Sequence, residues 1–121
     1  MDIKKVSPQE IDEIETAERC HILELLNHSD DRSQSIARAR VEPGVTTAWH
    51  RLKDTTEVYY ILSGEGEAEI DKERYPLRAN ELLRIPAGIP QRITNTGKDD
   101  LVFLCFCKPA FSAEIYEDLE H

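Results

Sequence analysis

Between residues 20 and 108 the apolar residues come in short runs that alternate with polar ones. Each run is closed by a cluster of Gly, Pro, Asn, Asp or Ser. Side chains alternate across a strand with period two, so such runs read as strands bounded by turns. The run 20–26 carries Ile22, Leu23, Leu25 and Leu26. The run 35–42 sets Ser35, Ala37, Ala39 and Val41 on one face, with Ile36, Arg38, Arg40 and Glu42 on the other. Further strands are expected over 48–52, 56–62, 65–70, 74–77, 82–85, 91–95 and 101–108. Pro76 confines the 74–77 strand to an edge or a bulge. A string of roughly nine short strands with no helix between them indicates an all-β antiparallel sandwich or barrel, and a jelly roll suits the length.

Helices are expected only at the two ends. Ser7-Pro8-Gln9-Glu10 offers a cap, a first-turn proline and a capping-box acid, and Ile11 and Ile14 share a face. Residues 112–119 read as a loose, acidic terminal helix. The chain then divides into an N-terminal helix and edge strand (1–34), a barrel (35–109) and a C-terminal tail (110–121) within one domain.

Composition narrows the function. With 121 residues the chain can bury one core, and a formal charge of -9 disfavours phosphate backbones, so no nucleic-acid partner is expected. Cys20, Cys105 and Cys107 form no disulfide framework; Cys105 and Cys107 share a strand face and read as small buried hydrophobes. No apolar run is long enough to span a bilayer, and residues 1–5 lack the apolar core of a secretory signal. A reducing, cytoplasmic setting without membrane contact is expected. His28 sits in a turn cluster and reads as a loop histidine; His21, at a strand start, could reach a pocket.

Two stretches carry the candidate chemistry. The first has Gly44, five residues, His50-x-Leu52, four residues, Glu57, six residues, Gly64. The second has Asn80, five residues, Pro86-x-Gly88, two residues, Gln91, three residues, Asn95. Together they resemble the two motifs of the cupin family, over roughly residues 35–108. That family's motifs run Gly, five residues, His-x-His, three or four residues, Glu, six residues, Gly, and then Gly, five residues, Pro-x-Gly, two residues, His, three residues, Asn. Leu52 and Gln91 stand where its metal-binding members carry histidines. Gly44, Gly64 and Gly88 serve as turn residues with positive φ.

The resemblance implies a double-stranded β-helix, a jelly-roll barrel of the small single-domain cupin type. If the hairpins close as the motifs imply, His50, Glu57 and Gln91 converge inside the barrel mouth. Leu52, Tyr59, Ile61 and Ile93 would wall the pocket and contact a small-molecule ligand. Two arrangements stay open. A divalent metal, Mn, Fe, Co, Ni or Zn, could be held by His50, Glu57 and Gln91. Alternatively Glu57 accepts hydrogen bonds from Gln91 and His50 in a metal-free polar cluster. In the first case the implied function is oxygenase, isomerase or lyase chemistry on a small polar organic molecule, with His50 and Glu57 catalytic. In the second it is metal-free binding or sensing. Arg38 and Arg40 either face solvent or bind an anionic substrate group, as a sugar-nucleotide epimerase would need. Trp49 and Arg92 face away from the site by parity. Small cupins commonly pair, so a homodimer is expected, with the N-terminal segment or the apolar 101–108 strand at the contact.

Overall fold

The computed structural model describes residues 3–120, and among them not the side chain of Ile11. The strands are β1 (Ile14–Glu15), β2 (His21–Leu26), β3 (Ser35–Val41), β4 (His50–Leu52), β5 (Thr56–Ser63) and β6 (Glu65–Ile70). They continue with β7 (Glu73–Arg78), β8 (Leu82–Ile85), β9 (Gln91–Asn95), β10 (Leu101–Lys108) and β11 (Tyr116–Asp118). One sheet has the order β1-β2-β3-β10-β5-β8, the other β11-β4-β9-β6-β7. Every pairing is antiparallel. This is the jelly roll expected from the strand pattern, and Pro76 lies in β7, an edge strand.

Parity and register together select the inner face. On the first sheet Phe103 lies opposite both Ala39 and Ile61, Cys105 opposite Tyr59, and Cys107 opposite Glu57. Opposed residues share a face, so all of these point inward. Val41, Ile61, Ala68 and Leu101 are fully buried where the sheets meet and form the apolar floor of the barrel. Burying a side chain such as Ile61 contributes about 1.5–3 kcal/mol. Toward the other end the inner face turns polar, with His50, Glu57 and Gln91 buried there.

The two terminal helices are replaced by strand pairing. Glu10–Asp12 forms one 3-10 turn without a side-chain cap, and the chain then runs extended into β1. An acidic segment this short cannot sustain a helix nucleus on its own. Its acids are instead drawn across the outside of β3, where Glu10 meets Arg38 at 2.7 Å and Glu13 meets Arg40 at 2.7 Å. At the other end Ala113–Ile115 forms a 3-10 turn, and β11 pairs Tyr116 with Leu52 and Asp118 with His50. This pairing satisfies the backbone groups that β4 would otherwise leave open.

The 101–108 strand is not an edge. β10 lies between β3 and β5, and the open edges of its sheet are β1 and β8. Its apolar character follows from burial of one face in the core, while Phe106 on the other face is 38% exposed.

Candidate functional site

A cavity of about 210 Å³ opens between the sheets at the polar end of the barrel. Strand β4 brings His50 to it, β5 brings Glu57 and Tyr59, and β10 brings Phe103, Cys105 and Cys107. His50 and Gln91 are directly opposed across β4 and β9. Gln91 Nε2 donates to Glu57 Oε1 at 2.7 Å and to the Tyr59 hydroxyl oxygen at 2.7 Å. Convergence of His50, Glu57 and Gln91 on one end of the barrel is thus present, with one change of detail. Glu57 takes its bonds from Gln91 and, weakly, from the Cys107 thiol at 3.8 Å, not from His50.

His50 is held from three sides. Its Nδ1 lies 2.9 Å from the carbonyl oxygen of Ala48, which can only accept, so Nδ1 carries the proton. The Tyr116 ring stacks on the imidazole at 4.9 Å with planes 16° apart. Glu18 Oε2 lies 3.8 Å from Nδ1 and accepts from the Tyr116 hydroxyl at 3.4 Å. With the proton fixed on Nδ1, the Nε2 lone pair is left free, and the ring lines the cavity.

The electrostatics resist negative charge. Burial pushes the Glu57 carboxyl above the usual carboxylate range, and the charge of Glu18 adds to this, while His50 and the Gln91 hydrogen bond oppose it. Burial also pushes up the Tyr59 hydroxyl and the Cys20, Cys105 and Cys107 thiols, with Glu57 contributing at each. The three thiols are therefore inert, protonated wall groups.

Of the other residues expected at the site, Leu52, Tyr59 and Ile93 line the cavity. Ile61 does not; it lies in the floor beneath, packed in the core. Arg38 and Arg40 do not either. They occupy the outer face of β3, bound to Glu10, Glu13 and Asp100, because the small residues Ala37 and Ala39 take the inner face. Trp49 and Arg92 stack outside the barrel at 5.1 Å, away from the site as parity requires. His21 lies beside Glu15 and Glu42. Sequence reasoning missed Glu18, Phe111 and Tyr116, which also line the cavity. They come from terminal segments where strand parity gives no reading. The available signal was the presence of two aromatics, Phe111 and Tyr116, in an otherwise acidic tail.

As placed, the His50, Glu57 and Gln91 side chains offer fewer ligand atoms than the metal set that the resemblance implies. His50 Nε2 is a competent ligand, but Leu52 contributes only carbon and Gln91 turns its amide nitrogen, a donor, toward Glu57. Among the described residues the group of His and carboxylate side chains close enough to share an ion is Glu15, His21 and Glu42, away from this cavity at the edge of the first sheet.

Comparison with known proteins agrees with this architecture. The chain is 37% identical over 87 residues to the uncharacterized protein MJ1618 of Methanocaldococcus jannaschii, covering 72% of this chain and 70% of that one. It is 32% identical over 74 residues to the oxalate-binding protein of Thermotoga maritima, covering 61% of each. Among solved structures, Pac13, a nucleoside dehydratase of Streptomyces, superposes with a TM-score of 0.78 at 17% identity over 96% of this chain and 92% of that one. A predicted oxalate decarboxylase of Thermotoga maritima superposes with a TM-score of 0.72 at 25% identity over 90% and 99%. The cupin domain pattern matches residues 37–107, the span from β3 to the end of β10, and the chain belongs to the cupin family.

Proposed function

We propose that this cupin binds a small polar organic molecule in the barrel cavity and moves protons on it without a resident metal. His50 Nε2 serves as the base, and Glu57 as the buried acid. The reaction class is proton abstraction coupled to elimination or isomerisation. The observation that carries this reading is the fixed tautomer of His50, with Nδ1–H on the Ala48 carbonyl and Nε2 without a protein partner among the described residues, on a ring that lines the cavity. When Nε2 takes a proton, the imidazolium is supported by that carbonyl and by Glu18 at 3.8 Å. Glu57, held above the usual carboxylate range, retains a proton closer to neutral pH than a solvated carboxyl and can give it to a leaving group. The stacked Tyr116 ring keeps the imidazole in place.

One structural neighbour supports the substrate class. Pac13, whose variants have been solved with uridine, is a dehydratase, so a barrel of this shape can host elimination from an uncharged, hydroxyl-bearing molecule. The test uses chelator-treated protein and a panel of uridine and other small hydroxylated compounds, followed by NMR. Turnover of a panel member is expected to fall by about a hundredfold or more in His50→Gln, with binding changed little. Activity that requires one bound divalent ion per chain would overturn the reading, as would compounds that leave the His50 resonances unmoved.

We further infer that the barrel folds with its two flanks as one unit, pairs as a homodimer, and works in a reducing, cytoplasmic setting. Both flanks are strands of the sheets, and among the described residues the cysteines are free. No helix among these residues is long and apolar enough to cross a membrane. The outer face of β5, β8 and β10 exposes Leu62, Leu82 and Phe106, an apolar patch fit to be covered by its own copy. The double variant Leu62→Lys, Leu82→Lys is expected to halve the mass measured by light scattering. An unchanged mass would count against this contact.

A further inference from the structure

Charge on the cavity lining is one-sided. Among the described residues that form it, the carboxylates are Glu18, Glu24 and Glu57, and the one imidazole is His50; no lysine or arginine is present. Arg38 and Arg40, which could have supplied positive charge, face outward and are bound by Glu10, Glu13 and Asp100. Glu24 is exposed, Glu18 is partly buried beside His50, and Glu57 lies deeper. The field of Glu18 reaches Glu57, Tyr59, Cys20, Cys105 and Tyr116, each of which is pushed toward its protonated form by burial and by neighbouring negative charge.

The consequence for a ligand follows from desolvation. The remaining walls are apolar or carry uncharged groups such as Thr16, Asn27, Ser35 and Thr47, so charge carried into the cavity loses water and must find a partner there. A carboxylate or phosphate would meet the Glu18 and Glu24 carboxylates and neither lysine nor arginine. An ammonium group would meet the Glu18 carboxylate, with the rings of Phe111 and Tyr116 also on the wall to receive a cation. His50 Nε2, without a protein hydrogen-bond partner among the described residues, is free to accept an N–H.

We infer that the cavity is selective for small organic amine cations, tolerates uncharged analogues, and rejects carboxylates and phosphates. This rests on the cavity being the binding site, as proposed above. The selection would also separate this chain from its oxalate-binding relative, since oxalate is a dianion.

The test compares three isosteres, benzylamine, benzyl alcohol and benzoate, titrated near neutral pH in chelated buffer and read by amide and imidazole NMR shifts. Benzylamine is expected to bind tightest and benzoate weakest, with about tenfold or more between them. In Glu18→Gln the preference for benzylamine over benzyl alcohol is expected to shrink several-fold; Glu24→Gln serves if Glu18→Gln disturbs the fold. Benzoate shifting the cavity resonances as tightly as benzylamine would overturn the charge selection and leave the cavity reading intact. A preference unchanged in both variants would do the same. If none of the three compounds moves the resonances of His50, Glu57 or Tyr59 at saturating concentration, the cavity reading falls with it.

Discussion

Replacing Gln91 by leucine is expected to cost about 3 kcal/mol of stability at pH 8 and much less at pH 5, measured by urea unfolding at both pH values. Gln91 is 1% exposed, and its amide is the strongest hydrogen-bond donor to the buried Glu57 carboxyl. Leucine fills the volume but leaves the carboxylate with only the Cys107 thiol at 3.8 Å. The sign of the pH effect follows from linkage. Burial already raises the folded-state pKa of Glu57 above its unfolded value. In that window the native state binds more protons than the unfolded state, so stability falls as pH rises through it. Loss of the amide raises the folded value further and widens the window. Below the unfolded pKa the carboxyl is neutral in both states, and the penalty disappears. Adding Glu57→Gln to the variant should flatten the pH dependence. A Gln91→Leu protein equally destabilised at both pH values would show that the amide acts by packing alone.

The second large effect is expected at the turn between β5 and β6. Gly64 has φ +84, and a Cβ built there would lie 2.6 Å from the Asp100 carbonyl oxygen and 3.0 Å from Leu101 Cα. Both obstacles are backbone of the segment leading into β10, the strand that joins the two halves of the first sheet. Gly64→Ala should therefore cost about 3 kcal/mol, left-handed strain and displacement of that segment together. Gly88 is the control. It has φ +80 but open space around the position of a Cβ, so Gly88→Ala should cost only about 1 kcal/mol. Equal losses at the two positions in thermal unfolding would show that φ, and not the contact with Asp100, sets the cost.

The barrel was legible because three signals coincided in its middle. Alternation locates β2 to β10, turn residues bound them, and motif spacing brings His50 and Gln91 to one end of the barrel. Asn80, in the motif position that is usually glycine, adopts φ 72, so even the departure from the pattern keeps the backbone it requires. Asn95 likewise keeps a turn: its amide donates to the Val41 and Asp99 carbonyls and accepts from Gly97 N–H.

The ends were not legible, because their structure depends on partners far along the chain. Whether Tyr116 becomes helix or strand is decided by the open edge of β4 at Leu52, and whether Glu10 closes a capping box is decided by Arg38. Propensity carries no information about either contact. Glu18 and Tyr116 were missed for the same reason, since they reach the cavity only after those long-range pairings form. Parity placed Ile61 on the correct face but not at the correct depth. Inner-face position along β5 decides between cavity wall at Tyr59 and core floor at Ile61.

Both flanks are fastened by strand pairing and by charge, in different proportion. The N-terminal arm pairs β1 with β2 over two residues and adds a ladder of carboxylates and guanidiniums, Glu10–Arg38–Glu13–Arg40–Asp100, in which Glu10 is the most exposed member. The C-terminal tail pairs β11 with β4 over three residues and adds the ion pairs Arg51–Glu117 and Arg19–Glu120. Dissolved salt screens the exposed charges and leaves the backbone pairing almost untouched. The arm also carries Ile14, Thr16 and Glu18 to the cavity rim. Ionic strength thus acts more strongly on the jaw with the longer ladder, and brine and fresh buffer would present a ligand with differently framed entrances.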